Sequence, residues 1–531
     1  MSQKLWSAQT RSTLKDDFKS GFLVFLIALP LCLGIAMASG FPPVAGVLTA
    51  IVGGVVVTFL GSSRLTIKGP AAGLIVVALG CVQELGGGDL HTGYKRALAV
   101  GVAAAALQIL FALMRMASIG VVMSPSVVHG MLAAIGVIIV SKQAHTLVGV
   151  APHAKGPLAL LAEIPQSIVR ANPEILILGF LSLIILFGLP YIRTKWAKAI
   201  PAPILVLAVT VPLGLVFGLD HPHDYWLLHG HFHVGPEYLV QLPGALINAI
   251  AFPDFSMLFS SASLKYIAMF SLVGTIESTL SVIAVDALDP AKDRSNLNKD
   301  LLGVGVGNLI SAMIGGLPMI SEIVRSKANI DAGAKSSFSN FFHGVFLLLF
   351  VALVPQLLHE IPLSALAAML IYTGFRLASP SQLVHIKQIG MDQLALFVTT
   401  LLVTLATDLL VGVASGIALK LILHYLRGVP LSSVFRTRIE SKQEGSDLEI
   451  KMYGAAIFTS LLPLTRAIGE LGPATKRVLL DLSEVAVVDH TFLSRLHGMA
   501  AEWPHTELVL VGMDKLQATS SHALATRRKQ K

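Results

Sequence analysis

Residues 299–335 read KDLLGVGVGNLISAMIGGLPMISEIVRSKANIDAGAK. The stretch begins as an apolar helix rich in Gly and Ala, breaks at Gly315-Gly316-Leu317-Pro318, and restarts with Ser321, Glu322 and Arg325 before small residues lead into another hydrophobic span. Opposite charges beside a Gly-Pro break, inside a segment of membrane length, are costly unless they face a cavity or each other. A broken helix exposes backbone N–H groups where it restarts, and these together with the helix dipole favour an anion. The pattern is that of half a substrate site in a membrane transporter.

Composition points the same way. Of 531 residues 54% are hydrophobic and only 13% charged, with a mean hydropathy of +0.74. A soluble domain carries about 25% charge, so a polytopic membrane protein is expected, set in a lipid bilayer. Lys4, Arg11, Lys15 and Lys19 precede the first apolar span and read as a cytosolic N-terminal segment, residues 1–20, rather than a cleavable leader. The net charge of +8 lies mostly in flanks and loops, which fits the positive-inside bias and argues against nucleic acid as a partner. Cys32 and Cys81 both fall in apolar helices and read as packing rather than a disulfide or a metal site.

Working outward from the opening stretch, spans are expected near residues 21–39 (with Pro30 inside), 44–60, 96–114, 121–140, 173–189, 203–219, 264–287, 341–354, 363–375, 394–407 and 409–426. Between residues 60 and 96 the chain runs Gly61-Ser-Ser-Arg-Leu-Thr-Ile-Lys-Gly-Pro-Ala-Ala-Gly73 and then offers only a short apolar run, 74–82. Such a run reaches about 15 Å as a helix, half the hydrocarbon core. This second broken segment has Arg64 and Lys68 at its mouth. With about fourteen spans, the two broken segments fall third in the first seven and third in the last seven. An odd number per half sets the halves in opposite orientation, and an inverted repeat places the site between the two half-helix N-termini.

The loop between the seventh and eighth spans, about 220–254, carries Asp220-His-Pro-His-Asp224 and His229-Gly-His-Phe-His233. It reads as a hydrated outer loop, with zinc or copper binding as the alternative; no metal is assigned. After Arg427 the character changes to that of a small α/β module. There Val478–Leu482 and Glu507–Val511 read as strands, 491–502 as a helix, and Arg527–Lys531 as a disordered cytosolic tail.

Ala28-Leu29-Pro30-Leu31 through Gly40, the Gly61–Pro70 turn and Gly303–Lys335 together resemble the SulP family of sulfate permeases and solute-carrier anion exchangers, and Val478–Asp489 resembles its STAS domain. The resemblance covers nearly the whole chain. It implies a seven-plus-seven inverted repeat of core and gate domains over residues 21–428. A STAS-like cytosolic domain follows at 429–531, ending short of the family's last strand and helix. It implies elevator-like movement, small anions as substrates, homodimers, and a bacterial inner membrane with both termini cytosolic. Among its members the opening spans look closest to the bicarbonate-associated bacterial ones, with sulfate and dicarboxylates behind. Neither a zinc-protease helix nor a nucleophile elbow occurs, so no enzyme is expected.

Carried over by position, Arg325 matches the family's basic residue near the bound anion, and Glu277 an acidic residue that helps hold sodium in bicarbonate-transporting relatives, with Ser281 one turn on. Met319, Ile320 and Ile323 stand at the other sodium contacts; Ile323 has no hydroxyl to give, which weakens sodium as the coupling ion. Glu322 stands where a small residue is expected. Protonated, it donates to an anion and couples transport to protons; ionised, it neutralises Arg325. Lys68 reads as a site or gate residue, Arg64 as an interfacial one, and the N–H groups of Ala71, Ala72 and Gly73 as anion donors, with Ser321 beside them. Asn308 and Asn329 read as packing hydrogen bonds and Asp408 as a helix cap. In the STAS-like module His490 follows Asp489 where the family has a regulatory hydroxyl, with Thr491 next. An uncoupled exchanger or channel and a membrane sensor are the competing functions.

Overall fold

A computed structural model describes residues 8–118, 123–154, 156–194, 200–227, 230–241, 246–291, 293–429, 433–434, 436–469, 475–500, 503 and 506–529. The first described helices are α1, Ala8–Ala38, and α2, Pro43–Val52, which continues through a π-turn at Gly53–Val57 to Leu60. Strand β1, Ile67–Pro70, leads by a single 3₁₀ turn into α3, Ile75–Gly86. Helices α4, Leu90–Leu113, α5, Pro125–Leu147, α6, Pro157–Val169, α7, Pro173–Gly188, and α8, Ala202–Val216, complete the first half. After a hairpin of β2, His223–Leu227, and β3, Gly230–Val234, the second half has α9, Ser261–Leu288, α10, Leu297–Met313, β4, Met319–Glu322, and α11, Ile323–Asp331. It ends with α12, Phe338–Leu353, α13, Leu363–Leu377, α14, Pro380–Ile389, α15, Met391–Ala406, and α16, Leu409–Leu426.

Among the described residues seven helices are long and apolar enough to cross a membrane, and five shorter apolar helices accompany them. The third element of each half is a strand followed by a short helix, as an inverted repeat with two broken segments requires. Small residues let backbones approach in place of a hydrophobic driving force. Gly54 and Gly344 meet so closely that a Cβ on either would strike the other's backbone. Leu29, Leu33, Leu347, Leu366 and Met369 belong to one buried apolar cluster beside them.

The STAS-like domain adds β5, Arg438–Glu444, β6, Asp447–Ala456, α17, Leu461–Ile468, β7, Arg477–Val488, α18, His490–Ala500, and β8, Glu507–Val511, with β9, Leu516–Ala518, and β10, Arg527–Lys529. These strands form one six-stranded sheet in which β6 and β8 flank β7 in parallel. Alternate residues of β7 point into a core with Phe492, Leu493 and Leu496 of α18.

Two expectations are corrected. The helix that carries the first span extends back to Ala8, ahead of the span expected near 21–39, and its Asp17 is buried and accepts the N–H groups of Lys335 and Ser336 at 2.8 and 2.9 Å. Arg527–Lys529 is a strand rather than a loose tail, pairing with β7 and β9; Gln530 and Lys531 lie outside the described residues. Compact packing divides the chain into two units. One unit holds residues 1–117 and 135–377, the other 118–134 and 378–531. Asp408 caps α16 by accepting from Val411 N–H at 3.0 Å, as its position suggested.

The Gly54–Gly344 contact gives a direct test. Gly344→Leu should lower the thermal stability of the detergent-solubilised protein by about 1–3 kcal/mol through overpacking, measured by thermal unfolding beside Leu349→Ala on the exposed face of α12, which should change little.

Candidate anion site

The two broken segments cross as antiparallel strands, with Ile67 opposite Glu322, Lys68 opposite Ser321, Gly69 opposite Ile320 and Pro70 opposite Met319. Both strands are buried throughout. A two-stranded ribbon has two outer edges, and at membrane depth no water can satisfy them. Side chains from neighbouring helices do so instead. Along β1, Ser326 Oγ accepts the Ile67 N–H at 2.8 Å and Asn340 Oδ1 accepts the Lys68 N–H at 3.2 Å. Along β4, Asn308 brackets Met319, accepting its N–H at 2.6 Å and donating to its carbonyl at 3.1 Å. Ser278 Oγ accepts the Ser321 N–H at 3.2 Å, and Thr49 Oγ1 the Leu317 N–H at 2.6 Å. Asn329 joins Leu65 O and Ser339 Oγ, so both asparagines singled out in the sequence serve packing.

Lys68 does not present a free charge. Its ammonium is buried between Asp300 Oδ2 and Ser321 Oγ, each at 2.6 Å, and Asp300 Oδ1 accepts the N–H groups of Ser62 and Ser63. Sequence reasoning missed Asp300, although it lies second in the opening stretch, because its partner is 232 residues away. Arg64 likewise is tied down rather than snorkelling, its Nη2 donating to both oxygens of Asp289 at 2.7 and 2.8 Å.

Arg325 is different. It is 1% exposed, and among the described residues it has no carboxylate partner within ion-pair distance. Its Nη1 donates to Cys32 Sγ at 3.4 Å and lies against Gly69, where a Cβ would collide with it. Glu322, at the N-cap of α11, turns away from its own helix, and its Oε1 accepts the Ala72 N–H at 3.4 Å. The ion pair with Arg325 expected for an ionised Glu322 does not form. Of the three donors expected of the other half-helix, Ala71 N–H is engaged by Pro318 O at 3.1 Å and Ala72 N–H by Glu322. Gly73 instead makes room for a side chain: the Glu277 carboxylate lies where its Cβ would be. Both Glu277 oxygens are buried without a hydrogen-bond partner among the described residues. Ser281 is only half-buried and forms no hydrogen bond there; Ser278, next to Glu277, is the hydroxyl that reaches β4. Ser321 thus joins Lys68, Asp300 and Ser278 in one network.

The histidine-rich loop is the β2–β3 hairpin, in which His233 Nδ1 bonds Asp224 Oδ1 at 2.7 Å. No group of three metal-binding side chains occurs among the described residues; His229 lies outside them.

The sulfate permease family model matches residues 14–402. The chain belongs to the sulfate permease family. It is therefore a membrane anion transporter of the SulP type. Bacillus subtilis YvdB, provisionally named for sulfate transport, is 25% identical over 90% of this chain and 86% of its own. The bicarbonate transporter BicA of Synechocystis is 24% identical over 79% and 71%. The solved transmembrane domain of a cyanobacterial BicA superposes with a TM-score of 0.62 at 22% identity, covering 76% of this chain and 97% of that one. SLC26A9 superposes at 0.67 and 14% identity, over 97% and 86%. The fold is thus the seven-plus-seven helical repeat followed by a small α/β domain.

The Lys68–Asp300 pair predicts an asymmetry. Lys68→Met leaves Asp300 buried and unpaired and should destabilise the protein by about 3–5 kcal/mol, whereas Lys68→Met with Asp300→Leu should recover most of that loss. Thermal unfolding of the four forms in detergent measures the difference.

Proposed function

We propose that this SulP protein is a secondary active transporter of a small inorganic anion, bicarbonate first, coupled to protons or sodium and working by elevator-like movement of the β1–β4 core. The observation that carries the reading is Arg325, a buried guanidinium with no carboxylate within ion-pair distance among the described residues. Burying such a charge alone is costly, and an anion arriving beside Gly69 offsets that cost. Gly69 has no side chain to keep the ligand from the strand backbone.

Charge number favours a monoanion. Glu322 and Glu277 both border the Ala72–Gly73 backbone, and a dianion feels about twice the repulsion from an ionised carboxylate that a monoanion does. The likeness to BicA supports bicarbonate; the likeness to YvdB keeps sulfate as the second reading, with C4-dicarboxylates behind it. For coupling, Glu277 is the group whose oxygens lack partners. A proton alone satisfies it. Sodium needs several oxygen ligands, and the nearby hydroxyls of Ser278 and Ser321 are engaged with each other, so the proton is the simpler coupling ion. The working unit is taken as a homodimer in a bacterial inner membrane. Lys15 and Lys19 at the start and Arg527 and Arg528 at the end support cytosolic termini.

Competitive uptake of labelled bicarbonate, sulfate and succinate into proteoliposomes, at two pH values and with or without a sodium gradient, tests the assignment. Bicarbonate should be taken up and driven by an inward proton gradient; sodium-independent sulfate uptake that bicarbonate does not compete for would overturn it. Arg325→Ala should weaken anion affinity by roughly ten- to a hundredfold. Glu277→Gln should abolish gradient-driven accumulation while leaving anion exchange, and normal accumulation by that variant would remove Glu277 from the coupling step.

A further inference from the structure

The last membrane helix carries a second buried charge that anion transport does not use. Lys420 and His424 lie one turn apart on α16, both buried, in a segment otherwise apolar. Their partner belongs to the STAS-like domain. Asp489, immediately after β7, is 1% exposed, and its Oδ2 accepts from Lys420 Nζ at 3.0 Å, from His424 Nε2 at 3.2 Å and from Phe458 N–H at 3.2 Å. Its Oδ1 accepts the Phe492 N–H at 2.6 Å. Lys420 also donates to Thr491 Oγ1 at 2.6 Å and sits 4.4 Å above the Phe458 ring, on which His424 stacks. A second post stands nearby: Asp392 at the start of α15 accepts from Arg427 Nη1 at 3.1 Å and from Thr526 Oγ1, in the segment before β10, at 2.9 Å.

Each half of the main cluster is unsatisfied without the other. Among the described residues Asp489 is the carboxylate within ion-pair range of Lys420, and it sits in a domain core rather than on a surface. Separating domain and helix would leave one buried cation in an apolar helix and one carboxylate whose strongest donors are gone. Burial alone would push the Asp489 carboxyl upward, but the Lys420 charge and the His424 hydrogen bond outweigh it and hold the group well below the usual carboxylate range. A depressed value contributes stability above the unfolded carboxylate's titration near pH 4 and loses it only as pH falls toward the lower folded value, so the Asp489 carboxylate stays ionised at neutral pH. The hydroxyl positions that would serve a phosphorylation switch are taken. His490 stands at the first and bonds Leu524 O through Nδ1 at 2.8 Å, and the hydroxyl of Thr491 is buried against Lys420.

We propose that Lys420, His424 and Asp489 form a permanent clamp that makes the STAS-like domain a rigid extension of the last membrane helix, and that transport requires the clamp closed. The domain then acts by holding that helix in place and not by a phosphate-controlled release. The clamp is independent of which anion is carried.

The test uses the full chain in proteoliposomes, with anion counterflow and limited proteolysis of the region after residue 429 as paired readouts. Asp489→Asn and Lys420→Met should each speed cleavage in that region by about tenfold or more and slow counterflow several-fold. The paired neutral variant Lys420→Met with Asp489→Asn should restore both toward wild type, since it leaves no charge unpaired and keeps an amide oxygen to accept a backbone N–H. Should Asp489→Asn fail to fold, Lys420→Met and His424→Gln read the same contact from the membrane side. Single variants that elute as folded protein with wild-type cleavage and counterflow would overturn the clamp. So would a paired variant that recovers protease resistance while counterflow stays at the level of the single variants, because docking would then not govern transport.

Discussion

A ribbon of two short strands in a membrane protein must have every edge group satisfied by protein, because hydrocarbon offers no substitute for water. The crossing of β1 and β4 meets that demand with Ser326 and Asn340 on one edge and Asn308 and Ser278 on the other. This requirement explains why polar side chains recur in helices that are otherwise apolar, and why they point to one place. The broken segments are held by their neighbours as much as by each other. Gly54 and Gly344 bring α12 close enough for Asn340 to reach β1.

Once the backbone is satisfied, the charges sort themselves into two kinds. Lys68 and Arg64 are closed pairs with Asp300 and Asp289 and serve to fix the crossing. Among the described residues Arg325 and Glu277 are open, one a cation without an ion pair, the other a carboxylate without a hydrogen-bond donor. Open charges at membrane depth are costly and are kept where a ligand or proton completes them. The same distinction recurs in the second unit, where Lys420 is closed by Asp489. A closed pair there ties elements together; an open one in the core leaves room for an anion.

Much of the fold was legible from residue order. Gly315-Gly316-Leu317-Pro318 and Gly69-Pro70 cannot continue a helix, and the apolar runs around them set the spans. Arg325 and Glu277 stood out because a charge in an apolar run has few explanations. Asp300 did not, although it lay in plain view, because an acid at a helix start reads as a cap until its long-range partner is known. Helices α6 and α14 and the β2–β3 hairpin were also missed, since short elements with mixed polarity carry little periodic signal. The short strand at Arg527–Lys529 was hidden by its basic composition, which reads as a tail; pairing with β7 and β9 orders it.

Sequence alone determined the class of the protein: membrane spans, two breaks at matching places, and a small α/β module at the end. It did so because hydropathy and Gly-Pro chemistry are local properties. It could not determine which charges are free. Whether Lys68, Glu322 or Arg325 faces an anion depends on what lies opposite in space. Only tertiary structure places Asp300 beside Lys68 and Ala72 beside Glu322, and leaves Arg325 without an ion pair among the described residues. Charge pairing is settled by distance across the fold, and distance is the one quantity that residue order does not contain.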